Sequence, residues 1–574
     1  MAVMKMRNLG SIGVISDLPA YELPPHAWSD AKNVRFQGTK VSSIGGCRPV
    51  LKKGMPAQTV PIAITGYGYD EKGIGTSWVY GTKDSLYRAE LSSHKNISKR
   101  VDGTQDETIN PVKYDVGANT WYYTTISNAL VMSTENEVPQ GITPNMEFFN
   151  DLPNWGKTFI QYDSTGSITS SNDNYWRTGK IRTYKNFLIA LNMTEGTTED
   201  DIIQYPQRVR WSNIANINEL PNHWDEADTS GSAGYNDLTN AKGIIVDGIA
   251  LRDMFIIYTS NDVFNMQYIG GNNIFRFTKM FNNSGLIAPE CAVEYEGNHF
   301  VVSPDDIYVH NGSTKKSVVT GRVKERLIKE ITSVNASATK VFANAPKKEI
   351  WITYVAEGSK KGAEYCNKAA IWNWEYSTWT FHDLPAVTDV NMVNIPDDSL
   401  KLWSDFDRPG LDTWDSSEHD KDPWFEAKGN FLNQSLLATS AHGRFYLLDQ
   451  GDYFYYKEND DINGEEQVFP LPRMMERAFI DFDELEIDPW QNKRIRRIYP
   501  QFKGKSVIDI SLDGNENPYL APNYPQTQSF DMTKDIKTDF RINDKYISIK
   551  FEDTEAGLWD FAGYDIDFIL GGRR

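Results

Sequence analysis

Four short segments of this chain share one grammar: an apolar or aromatic run of about four residues, a polar turn, then a second short run opening on an aliphatic or aromatic pair. They are 78–88 (WVYGTKDSLYR), 255–266 (FIIYTSNDVFNM), 300–310 (FVVSPDDIYVH) and 445–457 (FYLLDQGDYFYYK). Each predicts a β-hairpin, because β-branched and aromatic runs fit a pleated surface while Gly, Asn and Asp supply the turn. Weaker relatives start at Ala129, Phe187 and Ile350. Hairpin starts thus recur at uneven intervals of roughly 45 to 70 residues, near the length of a propeller blade. One blade cannot bury both faces of its sheet alone, and stacking neighbours around an axis solves that problem. The expectation is an all-β chain with an irregular β-propeller over residues 55–399.

Two regions depart from this rhythm. In 323–334 (VKERLIKEITSV), Val323, Leu327, Ile328, Ile331 and Val334 fall at helical spacing between charged positions, which predicts an amphipathic helix bracing the blades. Beyond residue 480 the period returns to two, with Ile508, Ile510 and Leu512, then Ile547, Ile549 and Phe551, alternating with mostly polar neighbours. Between them, 400–430 is crowded with Asp, Trp, Pro and Gly and holds no sustained period. The expected division is an N-terminal extended arm with a docking strand (1–54), the propeller (55–399), a loop-rich insertion with a closing hairpin (400–479) and a C-terminal antiparallel β-domain (480–574).

At 574 residues the chain is long enough for several cores, so folding needs no covalent staples. The three cysteines, Cys47, Cys291 and Cys366, are scattered and read as buried thiols. The N-terminus has no apolar run of signal-peptide length, and no stretch of about 18 apolar residues occurs, which predicts neither signal-peptide secretion nor a membrane-spanning helix. A net charge of −19 is the wrong sign for tight DNA binding, which depends on neutralising phosphates.

Chemistry-bearing motifs are weak. Residues 151–158 (DLPNWGKT) end like a phosphate-cradling loop, but Asp151 stands where its first glycine belongs, and Pro153 and Trp155 deny the backbone a phosphate nest. Gly66-Tyr67-Gly68 reads as turn chemistry. Residues 405–414 (DFDRPGLDTW) come within one residue of a sialidase-type turn, which is structural in any case. His419 and His442 are too far apart for one helix face and have no nearby cysteine. No Gly-x-Ser-x-Gly elbow is present. Carboxylate pairs such as Asp305-Asp306 and Asp460-Asp461 read as solvated surface. The expectation is a protein that is not an enzyme, with no catalytic residue, cofactor or metal.

Three stretches together resemble the nozzle, or tubular B-type, tail proteins of podoviruses, related to their packaged-DNA stabilisation proteins. The first is 13–50, with a Pro-rich loop (18–25), a Trp-x-Asp-Ala-x-Asn-Val-Arg-Phe strand (28–36) and an Ile-Gly-Gly turn (44–46). The second is 208–238, similar to a Val-x-Trp-Ser-Asp-Ile-x-Asn segment at 209–216 followed by Trp224 and Ala233-Gly234, with Asn213 where Asp is usual. The third is the C-terminus: 494–504, 545–551 and 559–574.

The resemblance implies a structural virion protein, assembled on its template as a homo-oligomeric ring, a hexamer, in the tail tube. Its implied partners are tail adaptor and portal-proximal proteins, tail fibres or spikes, and viral double-stranded DNA that passes through without sequence-specific binding. It implies a virion location, with the host cytoplasm during assembly. The alternatives are a tail component contacting the host cell surface, favoured by an exposed 400–430 loop, and a propeller glycan hydrolase, which needs paired carboxylates in a cleft. The channel-lining residues stay unassigned. The acidic balance predicts a neutral to acidic lumen along which DNA slides, with Arg494, Arg496 and Arg497 paired to carboxylates instead of turned inward.

Overall fold

The computed structural model describes residues 2–394 and 434–571, apart from short stretches at 51–55, 57–58, 69–75, 90–93, 118–119, 163–167, 229–230, 272, 360–363, 457–466, 489 and 554. Strands take 53% of the chain, and among the described residues there is one α-helix, so the fold is all-β. The expected features of 400–430, including 405–414 and His419, lie outside the described residues.

The apolar runs pair with their sequence neighbours into antiparallel four-stranded sheets. Sheet I holds Ala63–Gly68, Thr76–Gly81, Leu86–Ala89 and His94–Asn96; sheet II holds Tyr122–Ile126, Ala129–Ser133, Gln140–Ile142 and Asn150–Asp151. Sheet III holds Tyr175–Tyr184, Phe187–Gly196, Ile203–Trp211 and Gly234–Asp237; sheet IV holds Ile245–Leu251, Met254–Thr259, Val263–Tyr268 and Phe275–Phe281. Sheet V holds Ala292–Tyr295, Asn298–Val302, Ile307–His310 and Lys315–Ser317. The hairpins expected at 78–88, 255–266 and 300–310 form in sheets I, IV and V.

The next strands change partner midway along a single strand. Lys340–Asn344, Glu349–Tyr354 and Cys366–Asn373 pair in order with the first part of Thr378–Asn394, forming sheet VI. Pro385, which has no N–H, and Ala386, at φ 48°, bend that strand. Its second part, 387–394, pairs with Gln434–Ser440, which continues to Arg444–Leu448 and then to Cys47–Pro49 from the other end of the chain, forming sheet VII. The hairpin expected at 445–457 is therefore corrected: Arg444–Leu448 pairs backward, and Tyr453–Tyr456 pairs with Gln467–Pro470. The turn after Leu448 is held elsewhere, by Gly45 N–H donating to Asp449 and by mutual Gly46–Gln450 and Gly46–Gly451 backbone bonds, which aims the chain away.

Each sheet shares a dry core with the next. Val79 and Trp121 join I to II, Val131 and Leu188 II to III, and Ile189 and Ile257 III to IV. Ile256 with Val301, and Val302 with Ile350, extend the row to VI; Trp351 with Val390 joins VI to VII. Sheet VII then packs on sheet I, where Phe445 lies 5.3 Å from Tyr80, ring to ring, and Val393 and Leu437 share a cluster with Ile64. Between IV and V a buried relay runs Ala250 O, His299, Tyr258 hydroxyl, His310, Gly312 N–H. The carbonyl of Ala250 fixes His299 Nε2 as a donor, so Tyr258 donates to His299 Nδ1 and accepts from His310 Nε2.

The expected helix spans Lys324–Ser333, with Val323, Leu327 and Ile331 fully buried. The C-terminal antiparallel strands form as expected, in two layers, and both layers take in residues from the N-terminus. In one layer Trp559–Leu570 lies between Lys493–Gly504 and the pair Ala2–Arg7 and Lys40–Ser43. In the other, Gln526–Asp531, Val507–Asn515, Tyr546–Asp553, Arg473–Ile480 and Asp30–Lys32 pair in order, and Lys32 reaches Phe381 of sheet VI. Residues 1–50 are thus woven through the sheets. The proline-rich run around the 3-10 turn Ala20–Glu22 stays outside the ladders, as expected of prolines that have no N–H to donate.

Candidate functional site

The residues that carry the N-terminal signature meet at the joint between the seven sheets and the two-layered unit. Trp28 is fully buried and donates from Nε1 to Leu9 O at 2.9 Å. Asp30 accepts from Arg326 of the helix at 2.7 Å. Asn33, at φ 61°, separates two short strands that belong to different layers, and its buried amide donates to Pro472 O and accepts from Asp383 N–H. Asparagine suits that left-handed position better than most residues. Arg35 forks onto Glu349 of sheet VI through Nε and Nη2 and reaches Asp449 at the end of sheet VII at 2.7 Å. Burial opposes the Arg35 charge, but the two carboxylates outweigh it and raise its pKa. Burial also raises Asp449, yet Arg35 and Lys347 hold its carboxyl below the usual range. The Ile-Gly-Gly turn needs its glycines: a Cβ on Gly46 would stand 2.0 Å from Tyr453 O.

A second cluster takes one contribution from each of the seven sheets, from its first strand or, in sheet V, from the residues leading into it. Arg182 (sheet III) holds Asp247 (sheet IV) with two bonds of 2.8 Å and donates to Tyr123 O (sheet II) at 3.1 Å. Asp247 also accepts from the N–H of Glu290, at the entry to sheet V, at 2.9 Å. Lys340 (sheet VI) lies 3.0 Å from Glu290 and 2.9 Å from Asp389 (sheet VII), and Asp389 accepts from Ile64 N–H (sheet I) at 2.8 Å. These five charged side chains are between 3% and 17% exposed, so water screens them poorly. Burial pushes Asp389 up to about 6, against the pull of a lysine it shares with Glu290. Asp247, equally buried, is held low by the Arg182 fork.

Sequence reasoning missed this ring. Asp247 stands alone inside the apolar strand Ile245–Leu251 (IVDGIAL), and an isolated charge in a period-two pattern reads as solvent-facing. Its apolar neighbours were the available signal; Arg182, Lys340 and Asp389 each have a threonine beside them, and Glu290 precedes its strand, so nothing local marks them.

The other stretches of resemblance also map onto structural roles. Arg208 and Arg210 pair with Glu195, Asp237 and Glu226 and lie over Tyr205 and Trp176. Asn213 spans its loop, donating to Asn222 and accepting from Ser232 N–H. Of the three arginines expected to pair with carboxylates, Arg496 donates to Asp567 and Arg497 to Asp539, whereas Arg494 is placed only by its strand pairing with Asn543 and Ile569. The weak phosphate-loop stretch is engaged in packing: Trp155 stacks edge-on against Trp224 and Trp176, and Asp151 pairs with Lys99. His442 is buried, and the three cysteines are buried and form no disulfide. Among the described residues no group of three His, Cys, Asp or Glu side chains is placed to hold a metal ion, and no helix is long and apolar enough to cross a membrane.

No protein-family model and no curated protein matches the sequence. Among solved structures, the chain is similar to the extracellular domains of two putative hybrid two-component systems from B. thetaiotaomicron. The first has a TM-score of 0.36 and 10% identity over 88% of this chain, the second 0.37 and 8% over 74%. The chain spans about half the length of these two, 56% and 47%. It is also similar to an exo-β-1,3-galactanase from Phanerochaete chrysosporium, with a TM-score of 0.24 and 7% identity over 71% of this chain and 98% of that one. Likenesses at this level carry no inference about fold or function.

Proposed function

We propose that sheets I to VII close into a seven-bladed β-propeller, its last blade completed by Cys47–Pro49, and that the protein is a structural component of the tail tube or nozzle of a short-tailed bacteriophage. The closure is supported by seven consecutive sheet contacts that end where they began, and by a charge ring with one contribution per sheet. Pairing the N-terminal strand with the last sheet joins the two chain ends of the propeller, so that opening the ring requires breaking a ladder.

One observation carries the tail role. The residues of the signature at 28–46 are those that lock the propeller to the two-layered unit, so the stretch of resemblance and the mechanical joint of the molecule coincide. A conduit under internal pressure needs such a joint more than it needs a flexible cleft. In this reading the partners are further copies of the chain in a sixfold ring, adaptor and portal-proximal proteins on one side, and DNA passing without tight binding. The virion is its location.

The test is electron microscopy of the purified chain, alone and mixed with the portal and adaptor proteins of the same genome, together with antibody labelling of virions. The proposal expects sixfold rings formed on the adaptor and label confined to the tail. Label on the capsid, or failure to bind the adaptor with turnover of a surface glycan, rejects it. Deleting residues 1–50 removes strands from both layers and from sheet VII, so that truncation tests folding and not docking alone.

A further inference from the structure

The charge ring is unbalanced. It holds two cations, Arg182 and Lys340, against three carboxylates, Asp247, Glu290 and Asp389. Arg182 is committed to Asp247 through a two-bond fork, and its distance to Glu290 is 3.8 Å. Lys340 is left between Glu290 and Asp389, one ammonium for two carboxylates. Asp389 also stands at the seam where sheet VII meets sheet I: its Oδ2 takes the Ile64 N–H, while Thr388 donates to Pro61 O and Asn391 to Ile64 O.

We propose that Asp389 is a proton-operated latch on the seam between sheets I and VII, taking up one proton to neutralise the surplus carboxylate and holding the seam more tightly in acid than at neutral pH. Every group that faces Asp389 bears on this. Lys340 from sheet VI favours its charge; Glu290, beside sheet V, opposes it; half-buried Tyr123 from sheet II and buried Cys366 from sheet VI are neutral groups whose own ionisation Asp389 disfavours. Ile64 N–H from sheet I favours the anion. Burial outweighs these attractions. An open cavity lined by Thr65, Tyr67, Tyr123, Thr125 and Asn391 lies between the first strands of sheets I, II and VII, two residues along the strand from Asp389, and gives protons a route.

The sign follows from linkage. A carboxyl raised in the folded state contributes stability that is complete below its ordinary value near 3.8 and is lost as pH rises through about 6. Between pH 5 and 7.5 such a group changes the opening equilibrium of its seam by about tenfold. The inference needs only the contact of sheets I and VII, and it stands or falls independently of any virion role.

The experiment is amide hydrogen exchange on the full chain at pH 5 and 7.5, corrected for intrinsic chemistry, comparing strands Ala63–Gly68 and 387–394 with the C-terminal hairpin of Val507–Asn515 and Gln526–Asp531. The expected result is about tenfold loss of protection at the seam with rising pH, no matching loss in the C-terminal hairpin, and an unresponsive seam in Asp389→Asn. Equal protection at both pH values, or loss spread evenly over all sheets, overturns the proposal. So does an Asp389→Asn protein that keeps the wild-type response. If Asp389→Asn does not fold, the wild-type comparison alone decides.

Discussion

Replacing Arg35 with methionine removes a side chain that reaches from the two-layered unit to both sheet VI and sheet VII. Its guanidinium is 7% exposed, and the carboxylates it serves are 1% (Glu349) and 5% (Asp449) exposed. Asp449 keeps Lys347, but Glu349 keeps only a 3.1 Å bond from Trp351 Nε1. Stranding a buried carboxylate costs about 3–5 kcal/mol, whereas replacing both partners of a buried pair by apolar groups is often close to neutral. Arg35→Met should therefore destabilise by about 3 kcal/mol or more, and Arg35→Met/Glu349→Met should be at least about 1 kcal/mol more stable than Arg35→Met alone. Urea unfolding followed by tryptophan fluorescence reads this as a shift in midpoint at unchanged slope. The deficit also depends on pH: Asp449, held low in the folded state, contributes stability above the ordinary carboxylate range that is lost as pH falls through its folded value. The gap between wild type and Arg35→Met should narrow below about pH 4. Strictly additive effects of the two substitutions, or a gap that widens in acid, would refute the account of the joint as a charge fork.

Trp28→Ala empties a fully buried site and orphans Leu9 O, with an expected loss of about 3–5 kcal/mol in the same urea assay. Gly46→Ala drives a methyl into Tyr453 O, and soluble yield and limited proteolysis near 453–456 should both show the turn disrupted, while Gly321→Ala, with open space around it, should cost less despite its positive φ. Burial pulls His299 down to about 4 and His310 to about 3; groups so depressed contribute stability above about pH 6.5 that is lost as pH falls, because an added proton turns an accepting Nδ1 into a donor facing a donor. Protection of the sheet IV and V strands should drop between pH 6 and 4, and Tyr258→Phe, which leaves both imidazoles short of a partner, should cost about 1–3 kcal/mol at neutral pH.

The chain's local chemistry determined the all-β class, three of the four clearest hairpins, the helix at Lys324–Ser333 and the alternating C-terminal strands. Each depends on contacts between residues close in sequence or on a period that one strand or helix displays by itself. Leu327 and Ile331 had to lie inward because their helical spacing allowed no other common face. What lay beyond reach was every pairing across the length of the chain. Cys47–Pro49 completes the sheet of Arg444–Leu448, Ala2–Arg7 pairs with Trp559–Leu570, and 445–457 turns aside because Gly45 and Gly46 hold Asp449 and Gln450. A strand's sequence states which face is apolar but not which edge it joins, since backbone N–H and C=O groups are the same in every strand. The ring of Arg182, Asp247, Glu290, Lys340 and Asp389 was hidden for the same reason: each charge looks solvated until seven sheets bring the five together and exclude the water.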